Sequence, residues 1–393
     1  MKKVFAIVLS VLMVLSLFAG CGSAPAAGGS GNEAGAKAPI KIGMTGPLTG
    51  PAANYGMAVD WGMQIAVEEI NAAAGEDGLK IEYKAVDDEH DGQKAVSGYE
   101  MLMDWGMQFF GGTVTSGPAL QVAPMAANER VFMLTPSASA VDVPNAGDNV
   151  FQMCFTDPNQ GASAAQLVNT KFPNAVVGMI YDSSDDYSIG LANGFKAKAQ
   201  ELGVNVAVET SFSSTSSTEL DTQVEQCKNA GCDLVFMPFY YSEASKVLKY
   251  ADSVGYKPTF FGCDGMDGIL AMDGFDPALA EGLILMTPFS AGNPDAKVQE
   301  FVAKFKAKSG GVEPNQFAAD GYDVVYAIYN ACVASGVDGN TDKAEACAKL
   351  IAYFTSNSFS GLTGSGLTWD AEGLVSKNAE AMVVKSGAYE ALN

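Results

Sequence analysis

Short, almost wholly apolar segments alternate with helical segments along most of this chain, and this alternation most constrains its fold. The segments 175–182 (AVVGMIYD) and 233–239 (DLVFMPF) are apolar nearly throughout, whereas a strand with one face in water alternates apolar and polar residues. Between such segments apolar residues recur at helical spacing, as Val59, Met63 and Ala66 do. The pattern predicts parallel sheets with helices on both faces, which is an α/β fold.

The alternation occurs as two series that are separated near residue 155. A chain of 393 residues can hold two domains, each with its own core. We therefore predict two doubly wound lobes, and ligands of such folds bind outside the carboxyl ends of the strands. No predicted strand is followed by a nucleotide fingerprint, neither G-x-G-x-x-G nor G-x-x-x-x-G-K with Ser or Thr.

The balance of charge excludes one class of partner. The chain has 45 acidic and 23 basic residues, a formal net charge of −22, whereas proteins that bind nucleic acid need a basic surface. Nucleic acid is therefore not an expected partner. Apolar residues make up 48% of the chain and charged residues 17%, which is typical of a packed protein rather than a disordered one.

The first 38 residues have the composition of an export signal followed by a tether. Two lysines, an apolar run and small residues precede Cys21, which predicts a signal peptide over residues 1–20. A membrane-spanning helix is the alternative, but Val4–Ala19 is short for a bilayer and lacks a basic flank. Residues 21–38 are mostly Gly, Ala, Ser and Pro and predict a flexible tether.

The LFAGC segment that ends at Cys21 resembles the bacterial lipobox, although Phe18 stands where Leu is usual. The resemblance implies cleavage before Cys21 and attachment of a diacylglycerol to its sulfur. We therefore expect a folded body outside the cytoplasm that is held by lipid to the bacterial cell membrane.

Small hydroxyl residues follow the predicted strand that ends in MLTPSASA (133–140). Pro136 marks the end of this strand because proline cannot donate a hydrogen bond to a sheet. Other unusual segments also follow predicted strands: TGPLTG (45–50), TVTSGP (113–118), YDSSDDY (181–187), PFYYSE (238–243) and CDGMDG (263–268). Because the carboxyl ends of parallel strands meet at one edge, we predict that these segments line one ligand crevice.

The chain carries five segments in a characteristic order: GPLTGPAANYG, EEINAAAG, DDEHD, TPSASA and LTWDAEG. With them it resembles the type I periplasmic binding proteins, and more narrowly the branched-chain amino-acid-binding components of bacterial ABC importers, from Pro39 onward. The resemblance implies two Rossmann-like doubly wound lobes joined by a three-crossover hinge. We assign residues 39–155 and 289–363 to the first lobe, and residues 156–288 and 364–393 to the second.

The resemblance also implies a function without catalysis. The chain would capture an amino acid, branched-chain or aliphatic, between its lobes and deliver it to the permease subunits of an ABC importer. We expect a monomer with no cofactor and no bound metal. The same fold can instead serve as a sensing module for a receptor or regulator, or bind another small amide or carboxylate, and these alternatives stay open.

The resemblance places the ligand α-carboxylate on strand-end hydroxyls of the first lobe, those of Ser116, Ser137 and Ser139. A carboxylate removed from water needs several donors, and hydroxyls together with helix N-terminal amides supply them. Small side chains in these segments also let the backbone approach the ligand, which explains the row of Ser and Ala after Pro136.

The resemblance places the ligand ammonium at Asp264, where the branched-chain binders commonly have Glu. An ammonium removed from water needs acceptors, and a carboxylate is the strongest of these. Tyr55, Tyr187 and Tyr240 fall at the aromatic clamp of the family, where their faces attract a cation and exclude water.

Four more residues fall at the subsite for the ligand side chain: Val114, Thr115, Phe239 and Phe317. Val114 and Phe317 match positions that line the apolar subsite of the branched-chain binders. Such a pocket favours an aliphatic amino acid, although the wider family also takes amides, urea, aromatic acids and short peptides.

Several residues are of types that bind metals or catalyse reactions in other proteins, and we interpret them as structural here. His90 lies among acids in DDEHD, and we interpret this segment as a solvated turn rather than a metal site. Cys227 and Cys232 lack the spacing and histidines of a zinc site. A hydrolase would need a nucleophile and a base, but the chain has one histidine and no G-x-S-x-G turn at its strand ends. Cys332 and Cys347 flank a pattern typical of two helices around a turn, and we predict a disulfide between them.

Overall fold

The computed structural model describes residues 37–215, 219–378 and 380–392. The predicted signal peptide (1–20), the lipidation site Cys21 and all but the last two residues of the predicted tether (21–38) lie outside the described residues. Every other residue that we assign to a site from the sequence lies within the described ranges.

The first sheet has five parallel strands: β1 (Ile40–Gly46), β2 (Ile81–Asp87), β3 (Phe109–Phe110), β4 (Phe132–Thr135) and β5 (Val150–Gln152). Their order across the sheet is β2-β1-β3-β4-β5. Strands β3, β4 and β5 are buried at every residue, as expected for parallel strands that are covered on both faces.

The second sheet has seven strands: β6 (Val177–Asp182), β7 (Val206–Phe212), β8 (Leu234–Met237), β9 (Thr259–Gly262), β10 (Ile284–Thr287), β11 (Glu380–Lys385) and β12 (Ala388–Ala391). Their order is β12-β11-β10-β9-β8-β6-β7. The five strands β6 to β10 are parallel, and β11 and β12 extend the sheet as an antiparallel hairpin.

Ten α-helices lie among the described residues: α1 (Ala53–Ala74), α2 (Gly92–Asp104), α3 (Ser116–Asn128), α4 (Asp157–Lys171), α5 (Asp186–Leu202), α6 (Asp221–Asn229), α7 (Tyr241–Ser253), α8 (Ala296–Ser309), α9 (Gln316–Ser335) and α10 (Lys343–Phe354). Helix α9 shows residues typical of helix boundaries at both of its ends. The Asn315 side chain caps α9 by accepting from the Ala318 amide, and Gly336 ends this helix in the left-handed conformation at φ 63°.

Both sheets repeat one strand order, which places a switch point in each. In the first sheet the order reverses between β1 and β3, and in the second it reverses between β6 and β8. Chain segments that follow these strands diverge to opposite faces and leave a crevice at the carboxyl edge. The predicted α/β fold with two doubly wound sheets is confirmed.

Helices α1 and α9 form a tightly packed pair. A Cβ atom at Gly62 would lie 2.0 Å from the Ala318 carbonyl oxygen, and one at Gly321 would lie 2.6 Å from a backbone carbonyl of α1. Glycine is therefore required at both contacts. The packing brings Tyr55 near the start of α1 against Phe317 near the start of α9, with ring centroids 4.6 Å apart.

Three chain segments pass between the two sheets. The first joins β5 to α4, the second joins β10 to α8, and the third joins α10 to β11. The third stays against the first sheet for much of its length, because Trp369 Nε1 donates to the Gln152 carbonyl across 2.7 Å and Gln152 N donates to the Gly373 carbonyl across 3.0 Å. Lys377 Nζ also donates to the Asp320 carboxylate of α9 across 2.7 Å, so the segment contacts this side as far as Lys377. Our lobe boundaries stay a prediction.

The predicted disulfide between Cys332 and Cys347 is wrong, because both cysteines are free thiols. The helices around them are as predicted, since α9 ends at Ser335 and α10 begins at Lys343. Each thiol is buried in the apolar core and packs there as a small hydrophobic side chain. Burial also raises the pKa of Cys347 to about 11, which disfavours the thiolate that disulfide formation requires.

Candidate functional site

The carboxyl edges of the two sheets meet around one small cavity of about 10 Å³, which is room for about one water molecule. Segments after β3 and β4 line one side, and segments after β6, β8 and β9 line the other, so both switch points contribute. Ten residues line the cavity: Tyr55, Val114, Thr115, Ser116, Ser137, Tyr187, Tyr240, Asp264, Gly265 and Phe317. Nine of the eleven ligand contacts predicted from the sequence are therefore brought together here.

Two of the predicted contacts, Phe239 and Ser139, are not brought to this cavity. Phe239 packs in the core against Phe212, with ring centroids 5.1 Å apart in an edge-to-face arrangement, because neighbouring residues of an extended segment face opposite sides. Ser139 lies further along its loop, where its carbonyl accepts from the backbone N–H of Asp157 across 3.0 Å. It therefore contacts the start of α4 and not the cavity wall.

Asp264 is held by three hydrogen bonds that all go to the same carboxylate oxygen. The Tyr187 hydroxyl donates to Oδ1 across 2.6 Å, Gln160 Nε2 donates across 3.0 Å, and the Gly265 backbone N–H donates across 3.0 Å. The Gln160 side chain also accepts from the Asp264 backbone N–H across 2.6 Å. Oδ2 accepts no hydrogen bond from the described residues, so one oxygen of a rigidly held carboxylate is open to a cationic partner.

A second set of hydrogen bonds joins α1 of the first sheet to segments of the second. The Tyr55 hydroxyl donates to the Gly265 carbonyl and accepts from the Tyr241 backbone N–H across 3.2 Å. Asn54 donates from its backbone to the Tyr241 hydroxyl and from its side chain to the Gly268 carbonyl, each across 3.2 Å. These four contacts hold the two sides of the cavity together in the state observed.

Aromatic rings form much of the cavity wall. Tyr187 and Tyr240 stack with centroids 4.9 Å apart and planes inclined by 2°. Tyr55 lies between Tyr240 and Phe317, with centroids 5.4 Å and 4.6 Å away. Such packing excludes water and presents ring faces and edges to an apolar or cationic group.

Ser116 and Ser137 form the wall of the cavity opposite Asp264, which we call the serine edge. One of their hydroxyls donates a hydrogen bond within the protein and the other does not. The Ser137 hydroxyl donates to the Val114 carbonyl across 2.6 Å, so its hydrogen is used within the protein. Ser116 Oγ accepts from the Ala140 backbone N–H across 3.3 Å, and its own hydrogen has no acceptor among residues 37–215, 219–378 and 380–392. Ser116 also begins α3, where free N–H groups and the helix dipole favour an anion.

Burial governs protonation in the site. It raises the pKa of Asp264 above the ordinary value, and hydrogen bonds from Tyr187 and Gln160 act in the opposite direction. Burial also raises the pKa values of the Tyr55, Tyr187 and Tyr240 hydroxyls, so these hydroxyls stay protonated and can donate. A buried carboxylate in this position gains from a cation beside it, because the cation replaces part of the lost hydration.

The comparison with known families decides the class of this site. The chain matches the family model described as periplasmic binding protein over residues 39–388. The chain belongs to this family. The family and the two sheets together confirm the type I periplasmic binding protein that the sequence resembles, and they confirm that the chain binds a solute and is not an enzyme.

Relatives of this periplasmic binding protein are similar along most of their length. The Leu/Ile/Val-binding protein homolog 3 of Brucella melitensis is 30% identical over 329 residues, which cover 82% of this chain and 85% of the relative. The leucine-, isoleucine-, valine-, threonine- and alanine-binding protein of Pseudomonas aeruginosa is 29% identical over 273 residues, which cover 69% and 72%. The structure of the branched-chain amino acid transporter substrate binding protein LivJ from Streptococcus pneumoniae, in complex with isoleucine, has a TM-score of 0.79 and 28% identity, covering 90% of this chain and 98% of LivJ.

Sequence reasoning missed two residues that this periplasmic binding protein places beside the cavity. Gln160 lies in the first turn of α4, and it reaches Asp264 from 104 positions away in the chain. His90 was interpreted as part of a solvated turn, but its Nδ1 lies 2.9 Å from Thr115 Oγ1 and its ring meets Tyr240. Gln160 lies directly after a crossover between the sheets and not at a strand end. Polar residues at strand ends therefore do not include it, whereas a polar residue just after a crossover would have indicated it.

Two further properties of this periplasmic binding protein concern only its described part. No helix there is both long and apolar enough to cross a membrane. No group of three or more His, Cys, Asp or Glu side chains is gathered there as metal ligands would be.

Proposed function

We propose that this chain is the extracytoplasmic binding component of an ABC importer, and that it captures an aliphatic amino acid between two closing lobes. The observation that carries this proposal is the open Oδ2 of Asp264, which faces a cavity with a free serine donor on its other side. The similarity to Leu/Ile/Val-binding proteins and to LivJ with isoleucine supports the same assignment.

The two charged ends of an amino acid have matching partners at opposite walls. The ammonium binds Asp264 at Oδ2, because Oδ1 is already saturated by Tyr187, Gln160 and Gly265. The α-carboxylate binds at the start of α3, where the Ser116 hydroxyl and N-terminal amides donate. No basic side chain lines the cavity, so hydroxyls and backbone amides bind the ligand carboxylate.

The remaining wall is apolar and suits an aliphatic side chain. Val114 and Phe317 lie on this wall, and the ring of Tyr55 packs against Phe317. An apolar ligand side chain loses its contact with water there, at about 25 cal/mol per Å² of buried apolar surface. A charged side chain would find no partner among these three residues.

Ligand entry requires the lobes to open, because the cavity in the state observed holds only about one water molecule. Opening breaks the hydrogen bonds that Tyr55 and Asn54 make with Gly265, Gly268 and Tyr241. The ligand contacts both lobes only when they close around it, and its binding therefore shifts the population toward the closed form. The permease then recognises the closed pair of lobes.

The remaining parts of the proposal concern location and assembly. We infer that residues 39–155 with 289–363 and residues 156–288 with 364–393 form the two lobes, and that the part of the third segment that bonds to Gln152, as far as Gly373, moves with the first lobe. We also infer that a signal peptide is removed before Cys21, that lipid on this cysteine anchors a monomer to the cell membrane, and that the permease subunits are its partners. Intact-mass measurement of the chain purified from membranes tests the anchor, because a diacylglycerol adds a defined mass to Cys21.

Calorimetric titration with L-leucine, L-isoleucine and L-valine tests the binding function. We expect at least one to bind with micromolar affinity, about −8 kcal/mol, and L-lysine and L-glutamate to bind far more weakly because the apolar wall offers no counter-charge. A protein that binds none of the three aliphatic amino acids contradicts the proposal.

A further inference from the structure

The single histidine of the chain lies at the junction between the two sides of the cavity. His90 follows β2, the edge strand of the first sheet, and its side chain is partly buried. Nδ1 lies 2.9 Å from the Thr115 hydroxyl oxygen, and Thr115 lines the cavity directly before Ser116. The imidazole is thus hydrogen-bonded to the segment that carries the serine edge.

The same imidazole ring also contacts the opposite side of the cavity. Its centroid lies 5.5 Å from that of Tyr240, with the ring planes at 89°. Tyr240 follows β8 of the second sheet and stacks on Tyr187, which in turn donates to Asp264. His90 therefore contacts the segment proposed to bind the ligand carboxylate directly, and it is connected to Asp264, proposed to bind the ammonium, through the rings of Tyr240 and Tyr187.

The turn that carries His90 is built to hold this orientation. Glu89 and His90 have φ values of 50° and 62°, a left-handed conformation that costs free energy for residues other than glycine. The Asp88 carboxylate accepts from the His90 backbone N–H across 2.9 Å, and the Asp87 carboxylate accepts from the Glu89 backbone N–H across 3.0 Å. Strain stabilised by neighbouring side chains is a feature of functional turns more than of solvated ones.

Charged groups surround the imidazole on three elements. Asp88, Glu89 and Asp91 belong to its own turn, Asp182 ends β6, and Glu243 lies in the first turn of α7. Burial lowers the pKa of His90, whereas the charges of Glu243, Asp182 and Asp91 act to raise it. Burial is the larger effect, so the contact between the two sides favours the neutral imidazole.

We propose that His90 is a positioning residue of the ligand site, which couples the Thr115–Ser116 edge to Tyr240 and makes ligand affinity depend on an uncharged imidazole. This inference rests on the proposed function. Opening of the lobes separates Tyr240 from His90 and returns the ring to water. Ligand binding, which closes the lobes, must then remove a proton from any His90 that is charged.

The expected consequence is weaker binding in acid. Opening of the lobes exposes the His90 ring to water, whereas closure buries it, and burial lowers the pKa of the imidazole. Affinity is therefore fully developed above about pH 7 and falls as the pH drops through the pKa of the open form.

Titration calorimetry at about pH 7.5 and pH 5.5 tests this inference, with whichever of L-leucine, L-isoleucine and L-valine binds wild-type protein most tightly. His90→Asn is the main variant, because Asn tolerates the left-handed conformation and hydrogen-bonds but does not titrate. His90→Phe keeps a ring against Tyr240 and loses the bond to Thr115, so it carries the test if the Asn variant does not fold. We expect each variant to lose about threefold to tenfold in affinity at the higher pH, which is the effect of losing one hydrogen bond.

The decisive readout is the ratio of dissociation constants at the two pH values. We expect the wild-type ratio to exceed the His90→Asn ratio by at least about threefold, because carboxyl groups that also titrate in this range, such as Asp88 and Asp185 with pKa values of about 7, are present in both proteins. Equal ratios, together with unchanged affinity of both variants at the higher pH, overturn the inference while wild-type binding leaves the proposed function intact. Wild-type protein that binds none of the three amino acids overturns both.

Discussion

The Tyr187 hydroxyl donates to Oδ1 of Asp264 across 2.6 Å, and this bond decides which carboxylate oxygen remains open. Tyr187 belongs to the first turn of α5 and Asp264 follows β9, so two strand ends of the second sheet must be correctly placed for the bond to form. Charge-assisted hydrogen bonds of this kind are roughly twice as strong as neutral ones. The Asp264 carboxylate is therefore oriented in advance for a cation at Oδ2.

Asp264→Asn should remove most of the affinity for an aliphatic amino acid. An amide at this position presents no negative charge to the ammonium, and the loss of a buried charge partner costs about 2–5 kcal/mol. Titration calorimetry of Asp264→Asn against wild-type protein measures this loss. Asp273→Asn is the control, since it makes the same charge change at an exposed residue. Affinity of Asp264→Asn within twofold of the control would remove Asp264 from the ligand site.

Tyr187→Phe and Tyr240→Phe form a matched pair that separates hydrogen bonding from ring packing. Tyr187 donates to Asp264, whereas Tyr240 contributes a stacked ring. A hydrogen bond to a charged group is worth about 1.5–3 kcal/mol, so Tyr187→Phe should weaken binding at least tenfold and Tyr240→Phe much less. Fluorescence titration with L-leucine compares the two, and equal losses would contradict the assigned role of the Tyr187 hydroxyl.

Gln160→Leu should lower both stability and affinity. Gln160 both donates to Asp264 Oδ1 and accepts from the Asp264 backbone N–H, and a buried group left without its partner costs about 1–3 kcal/mol. Urea unfolding gives the change in the free energy of unfolding, and calorimetry gives the change in affinity. Gln166→Leu, on an exposed face of the same helix, is the control and should leave affinity unchanged. If both variants bind alike, Gln160 does not position Asp264.

Asp185→Asn should stabilise the protein at neutral pH and above, but not in acid. Burial raises the pKa of Asp185 to about 7, so the folded state favours its protonated form. Its contribution to stability is complete below the ordinary pKa of an Asp and is lost as the pH rises through about 7. Asp185 is the N-cap residue of α5, a position that accepts Asn as well as Asp, and Asn carries no charge to bury.

Thermal unfolding at about pH 5 and pH 8 measures this difference. We expect a higher melting temperature for Asp185→Asn than for wild-type protein at the higher pH, and a much smaller gain at the lower pH, which lies only slightly above the ordinary pKa of an Asp. Asp221→Asn is the control, because Asp221 occupies the first turn of another helix and is exposed. A stabilisation of the same size at both pH values would show that desolvation of the Asp185 carboxylate is not its cause.

The strand-end residues of the site could be predicted because the fold rule that locates them is local. Ser116, Tyr187 and Asp264 each lie within a few residues of a strand's carboxyl end, and a run of apolar residues marks each strand in the sequence. Parallel strands then bring these ends together whatever the details of packing. The family resemblance added the roles of these residues, which the strand pattern alone does not supply.

Other features could not be predicted because they depend on packing between distant parts of the chain. Gln160 meets Asp264 across 104 positions, and its helix begins after a crossover whose direction the sequence does not specify. His90 is indistinguishable from a solvated turn residue until the second sheet brings Tyr240 against it. The free thiols of Cys332 and Cys347 show the same limit, because the turn between two helices does not fix the direction of their side chains.

A crystal structure of the protein with L-leucine, L-isoleucine or L-valine bound tests the central claim most directly. We expect the ammonium within hydrogen-bond distance of Asp264 Oδ2, the α-carboxylate at Ser116 and the start of α3, and the aliphatic side chain against Val114 and Phe317. A ligand whose ammonium lies away from Asp264, or which binds outside the crevice between the two sheets, would contradict it.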